Sequence, residues 1–395
     1  MNKQKINKLL VNIKAAEEKL YPKTDKMRKI SLRQVMILFF LSTVSGTLRV
    51  MTPGSKSMGI LSKSSWLSPF IALIPILILI FVLKKITEHN TEKSLAQIIE
   101  MVFGKIIGKT ILFLFLIHVL FLTSYFLKNF GEKFVLSIFP NVSPLFFMIA
   151  LLIFSLFAVR KNIEFFARFS EFTFIIVSIV FIITFFVVLF NINPKNLYPV
   201  TYYDIKSIIK SSVPLISLWS LFTFSFFLGD NINYSGKRLD VNNKAQISLN
   251  FKKTAVKFMI ITASFNFFAL ISLIGIFNAK TAVNISMPYF MIFKSIKTIG
   301  FVQSFETFFI ILWVFTDFIM IVYYMFIMSK IFKTTFLINE KNIKLFMSLL
   351  AFIIFALTFI IDKFNDFYIL SYSSIIFGFI LPFLILAVGK IRKVL

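Results

Sequence analysis

Ten apolar stretches, each long enough to cross a bilayer as a helix, limit what this chain can become more than any other feature. They lie at 35–52, 66–83, 110–127, 144–159, 172–190, 213–229, 255–277, 306–328, 345–361 and 368–389. A hydrocarbon core about 30 Å thick is spanned by roughly 20 helical residues. Lipid offers no partner to backbone N–H and C=O groups, so a run of this kind satisfies them within itself as a helix. With 58% hydrophobic and 15% charged residues, and a mean hydropathy of +0.87, the sequence lacks the polar surface of a soluble fold. Soluble domains carry about 25% charged residues. The expectation is an all-α polytopic membrane protein. It has a basic tail over 1–34, a ten-helix domain over 35–389 and a short tail over 390–395, with no separate soluble domain. The first 29 residues are polar and lysine-rich and lack the apolar core of a secretory signal.

The net charge of +26 points to topology rather than to nucleic acid. Basic residues sit between the apolar runs, not on one face interleaved with aromatics. Counted over the N-terminal tail and alternate loops, Lys and Arg outnumber those in the intervening loops by roughly three to one. That places the N-terminus and C-terminus in the cytoplasm. There are no cysteines and only two histidines, His89 and His118. This excludes disulfides, thiolate metal centres and conventional histidine clusters. No phosphate loop, nucleophile elbow or hydrolytic carboxylate pair is visible. Neither enzymatic activity nor a cofactor is expected.

Two connections carry patterns of their own. Across 91–108, Leu95, Ile98, Ile99, Val102, Phe103 and Ile106 recur at helical spacing, predicting an amphipathic cytoplasmic helix. The outer segment 200–212 reads in a similar way. Ten spans divide into five plus five, and an odd number per half inverts the second half if it repeats the first. That is the arrangement of many secondary transporters.

Interruptions fall at corresponding positions, in spans one and six. Span one runs through Ser45, Gly46, Thr47 and Arg49 to Thr52-Pro53-Gly54. Span six has Pro214 near its start and Gly229-Asp230 at its end, with Phe222 and Ser225 between. Gly tolerates irregular backbone, and Pro has no amide hydrogen. Broken helices leave polar backbone groups that a solute can satisfy. Pro53-Gly54 fits either such a break or a simple end of the span. Arg49, a guanidinium inside a span, fits either a carboxylate ligand or snorkelling to the interface. Asp317 lies mid-span in the eighth run. Glu306 stands eleven residues earlier and Trp313 one turn earlier, both on nearly its face. It fits a cation, proton or Arg49 partner in a central cavity, or a protonated interhelical hydrogen bond. Tyr125, His118 and Asp230 are lesser candidates. The candidate ligand set is therefore Ser45, Gly46, Thr47, Arg49, Thr52, Tyr125, Phe222, Ser225, Gly229, Asp230, Trp313 and Asp317.

From about Ile30 onward the sequence resembles the B subunits of bacterial spore germinant receptors. These spore germination permeases belong to the amino acid–polyamine–organocation transporter superfamily. The resemblance is carried by KISLRQ (29–34), by Gly46 followed by Pro53, and by Trp66 opening span two. IIEMVFGKIIGK (98–109) and AVRKNIEFFARFSEF (158–172) extend it, the latter with Arg160, Glu164, Arg168 and Glu171. LYPV (197–200), Gly229-Asp230, Glu306, Trp313 and Phe318 complete it. Ser65, Asn162, Ser304 and the polar run NINYSGKRLDVNNK after Asp230 depart from the family pattern. The resemblance implies a LeuT-like fold with broken helices one and six and a site between spans one, three, six and eight. It also implies sensing of a small nutrient such as an amino acid, with an A subunit and a C lipoprotein as partners in the spore inner membrane. The alternative it leaves is a secondary transporter of amino acids or polyamines.

Overall fold

A computed structural model describes residues 30–50, 61–88, 90–139, 141–234, 244–285, 288–295, 303–338, 340–361 and 366–394. All ten predicted spans are helical. They are α1 (Leu32–Val50), α2 (Ser68–Glu88), α4 (Lys105–Ile138), α5 (Pro144–Val159) and α6 (Ile163–Leu189). The second half follows with α7 (Ile205–Ser220) and its continuation, α8 (Lys244–Ala282), α10 (Gln303–Phe336), α11 (Glu340–Thr358), and α12 (Asp366–Ser374) leading into α13 (Leu381–Ile391). Short α3 (Leu95–Phe103) and α9 (Pro288–Ser295) lie between spans. Among the described residues, seven helices are long and apolar enough to cross a membrane, and three more are shorter apolar helices. Phe146, Phe154, Phe157, Phe165 and Phe172 stand exposed on α5 and α6. Such a belt of rings belongs against lipid.

Local chemistry sets the helix ends. α1 starts in a capping box: the Ser31 N–H donates to Gln34 Oε1 at 2.8 Å and the Gln34 N–H donates to Ser31 Oγ at 3.2 Å. The motif satisfies two amides of the first turn. Ser94 and Gln97 form the same box at the start of α3. α3 buries Leu95, Ile98, Ile99 and Val102 as predicted, but Gly104, at φ +85°, ends it. The chain restarts as α4, so Ile106 turns outward and is exposed.

Span six departs from regular helix. α7 gives way at Leu221 to a 3-10 stretch, Leu221–Asn231, in which Leu221 through Gly229 are all buried. The predicted outer segment 200–212 is not separate; from Ile205 it is the first part of α7. Past the 3-10 stretch, Ile232 and Asn233 pair in parallel with Ile30 and Ser31. Ile232 and Asn233 are thus met by the strand that leads into α1, and Asn231–Tyr234 need no lipid-embedded helix. The rest of that run, 235–243, lies outside the described residues. α1 itself is an uninterrupted α-helix as far as Val50. Thr52, Pro53 and Gly54, where the first break is expected, lie outside the described residues.

Candidate functional site

Three consecutive residues of α1 reach three different helices, because successive residues turn by about 100°. Ser45 donates its hydroxyl to Asp317 Oδ1 on α10. Gly46 packs on α7, where a Cβ would come within 2.5 Å of Leu218 Cδ1. Thr47 donates to Asn266 Oδ1 on α8 at 3.0 Å, and the Asn266 amide in turn donates to the Thr262 carbonyl at 2.8 Å. Ser45, Thr47, Asn266 and Asp317 are all at or near zero exposure. A carboxylic group inside a bundle is costly unless hydrogen-bonded or paired. This seam holds the fully buried Asp317 carboxyl group.

The remaining candidates are spread along the helix axes. Phe222 meets Phe39 of α1 edge-on at 5.3 Å, and Ser225 shares a 2.8 Å hydrogen bond with Tyr323 of α10. Gly229 lies against the Lys93 carbonyl, where any Cβ would clash at 2.5 Å. Asp230 forms a 2.6 Å ion pair with Lys330 at the α3 end of the bundle. Lys330 is thirteen residues beyond Asp317, about 20 Å along α10. One small ligand cannot touch both carboxylates. Beyond the ion pair, burial and the Asp230 charge push the Tyr234 hydroxyl above its ordinary range. Trp313 lies toward the α9 end, its ring against Phe130 and Phe134 of α4. Tyr125 lines a separate cavity of about 20 Å³ with Pro214, Ser217 and Leu370, room for a single water. His118 is buried, stacks on Phe377 at 5.1 Å and lies 3.4 Å from Ser374 Oγ. These contacts place it between α4 and the end of α12. Arg49 is on the last turn of α1, and its side chain, like that of Glu306, lies outside the described residues.

Of the twelve candidates from the sequence, the structure puts Ser45 and Asp317 in contact, whereas Gly46 and Thr47 pack on α7 and α8. Sequence reasoning missed Asn266, Tyr323 and Lys330. Asn266 is a lone amide within the apolar seventh run and carried the signal that could have found it. No group of three or more His, Cys, Asp or Glu side chains suited to a metal exists among the described residues.

With this geometry stand three likenesses to known proteins. The family model described as spore germination protein matches residues 29–367. The chain belongs to the spore germination protein family. It is 22% identical over 322 residues to Spore germination protein KB of Bacillus subtilis (strain 168), covering 80% of each chain. At that identity it is a divergent member. Among solved structures it resembles a manganese transporter from Eremococcus coleocola, solved with an aromatic bis-isothiourea substituted compound. The TM-score is 0.57 at 12% identity, over 88% of this chain and 78% of that one. This last likeness concerns the fold alone, which is LeuT-like. Family and fold together make the chain a multi-pass membrane protein of permease or receptor type.

Proposed function

We propose that this protein is the nutrient-sensing B subunit of a spore germinant receptor. It binds a small molecule such as an amino acid at the α1–α10 seam and triggers germination. The observation that carries this reading is the buried Ser45–Asp317 contact within a chain of the spore germination protein family. A cationic amino group offers Asp317 a stronger partner than a serine hydroxyl, since charge-assisted hydrogen bonds are roughly twice as strong as neutral ones. Entry of such a group displaces Ser45 and changes how α1 packs on α10. Because Gly46 and Thr47 hold α7 and α8, the same shift is felt by both neighbours. The nutrient must favour one arrangement over the other for a signal to arise.

In this reading the N-terminus faces the cytoplasm, the protein sits in the spore inner membrane, and an A subunit and a C lipoprotein register the change. Deleting the gene and challenging purified spores with single nutrients tests it. Selective loss of response to one nutrient class, restored by complementation, is the expected result. Normal germination toward every nutrient, together with lost uptake of a labelled amino acid by growing cells, favours transport instead.

A further inference from the structure

A cavity of about 80 Å³ lies beside the seam rather than in it. Val44 and Thr316, the sequence neighbours of Ser45 and Asp317, form part of its wall. The rest comes from α6, α8, α9 and α10, including Thr184, Ala269 and Trp313. The described lining holds no charged side chain. Two polar atoms of residues in its wall, Trp313 Nε1 and Thr184 Oγ1, are buried without a hydrogen-bond partner among the described residues. The indole is well placed to matter, for Trp313 is only 3% exposed. Other hydroxyls of this wall are satisfied by their own helices: Thr316 donates to the Trp313 carbonyl and Ser272 to the Phe268 carbonyl. Threonines on the neighbouring helices usually bond back in this way, as Thr173 and Thr262 do. Thr184 does not. A buried donor left unmade is costly, and native proteins rarely keep one without a use.

We propose that this cavity binds a small neutral molecule of a few carbons carrying one hydroxyl or carbonyl oxygen. That oxygen accepts the Trp313 indole N–H and pairs with the Thr184 hydroxyl, while the carbons fill the apolar remainder. A zwitterion is disfavoured, because two charges would be buried against walls that offer no counter-charge. At about 80 Å³ the cavity is roughly half the size of a cavity of about 150 Å³ that binds benzene, which suits a molecule of about three or four heavy atoms such as 1-propanol. The proposal is independent of the nutrient reading, which rests on Asp317. Since Val44 and Thr316 flank the seam, an occupant bears directly on how α1 sits against α10, and it shifts the response wherever it fits one arrangement better.

The test uses the full chain in lipid nanodiscs with ¹⁵N-labelled tryptophan. The sequence has three tryptophans, so three indole resonances are assigned by single Trp→Phe changes. Titration with 1-propanol should shift the Trp313 resonance saturably while Trp66 and Trp219 stay in place. Ala269→Leu, which fills the cavity, should abolish the saturable shift. Thr184→Val, a gentler change of the same shape, should weaken the apparent affinity several-fold. If Ala269→Leu does not fold, Thr184→Val alone carries the comparison. A Trp313 resonance that does not move, or one that drifts linearly with the other two as alcohol partitions into lipid, overturns the proposal. So does saturation by zwitterionic alanine but not by 1-propanol.

Discussion

The hydroxyl of Ser45 on α1 donates to the carboxyl of Asp317 on α10 across 272 residues of sequence, in a core that water does not reach. Ser45→Ala should lower stability by about 1–2 kcal/mol, the upper range for interhelical hydrogen bonds in membranes. Asp317→Asn keeps a hydrogen-bonding group of the same size, so expression and thermal unfolding in detergent should change little while the nutrient response is lost. An Asp317→Asn strain that germinates normally would remove the carboxylate from the mechanism.

Gly46 sets how closely α1 approaches α7. A Cβ there meets Leu218 Cδ1 at 2.5 Å, which the leucine relieves only by moving. Gly46→Val should cost about 1–3 kcal/mol by overpacking. Adding Leu218→Ala should recover most of that loss. Recovery in the double variant, read from unfolding midpoints, checks that the clash and not helix propensity is responsible.

The Asp230–Lys330 ion pair, with side chains 22% and 21% exposed, joins span six to the far end of α10. A double-mutant cycle with Asp230→Asn and Lys330→Met should give a coupling of about 0.5–3 kcal/mol. The reversed pair, Asp230→Lys with Lys330→Asp, should restore part of it. A coupling near zero would make this a solvent-screened contact with no part in holding the two spans together.

The strand at Ile30–Ser31 pairs with Ile232–Asn233 and so ties the entry of α1 to the end of span six. Neighbouring strands lie about 4.8 Å apart, within the Cα separation a disulfide spans. The chain has no cysteines of its own, so Ser31→Cys with Asn233→Cys gives a clean crosslink. If these ends separate during signalling, oxidised spores should lose the nutrient response and a thiol reductant should return it. Unchanged germination of crosslinked spores would show the pairing to be static.

Gly378 tests the opposite side of span six. A Cβ there would sit 2.7 Å from the Ser220 carbonyl oxygen, and backbone cannot step aside as a side chain does. Gly378→Ala should therefore cost more than Gly46→Ala in the same unfolding assay. Equal costs would mean that the segment linking α12 and α13 yields.

Much of this molecule is determined along the chain itself. Burial in lipid demands long apolar helices, so the ten spans were legible from hydropathy, although α4, α8 and α10 run eight to eleven residues past an expected limit. The capping boxes at Ser31 and Ser94, and the exposed phenylalanines of α5 and α6, follow from local chemistry in the same way. Asp317 was visible because a carboxyl group in an apolar run is expensive wherever it points. Its contact with Ser45 was decided only when α1 and α10 packed, since hydropathy does not encode the rotation of one helix against another. The same holds for Asn266 under Thr47 and for the pairing of Asp230 with Lys330, about 20 Å along α10 from Asp317. Least legible was the course of span six. Its 3-10 stretch and the parallel pairing beyond Asn231 depend on Ile30 and Ser31, some 200 residues away, which supply the backbone partners that this polar run needs.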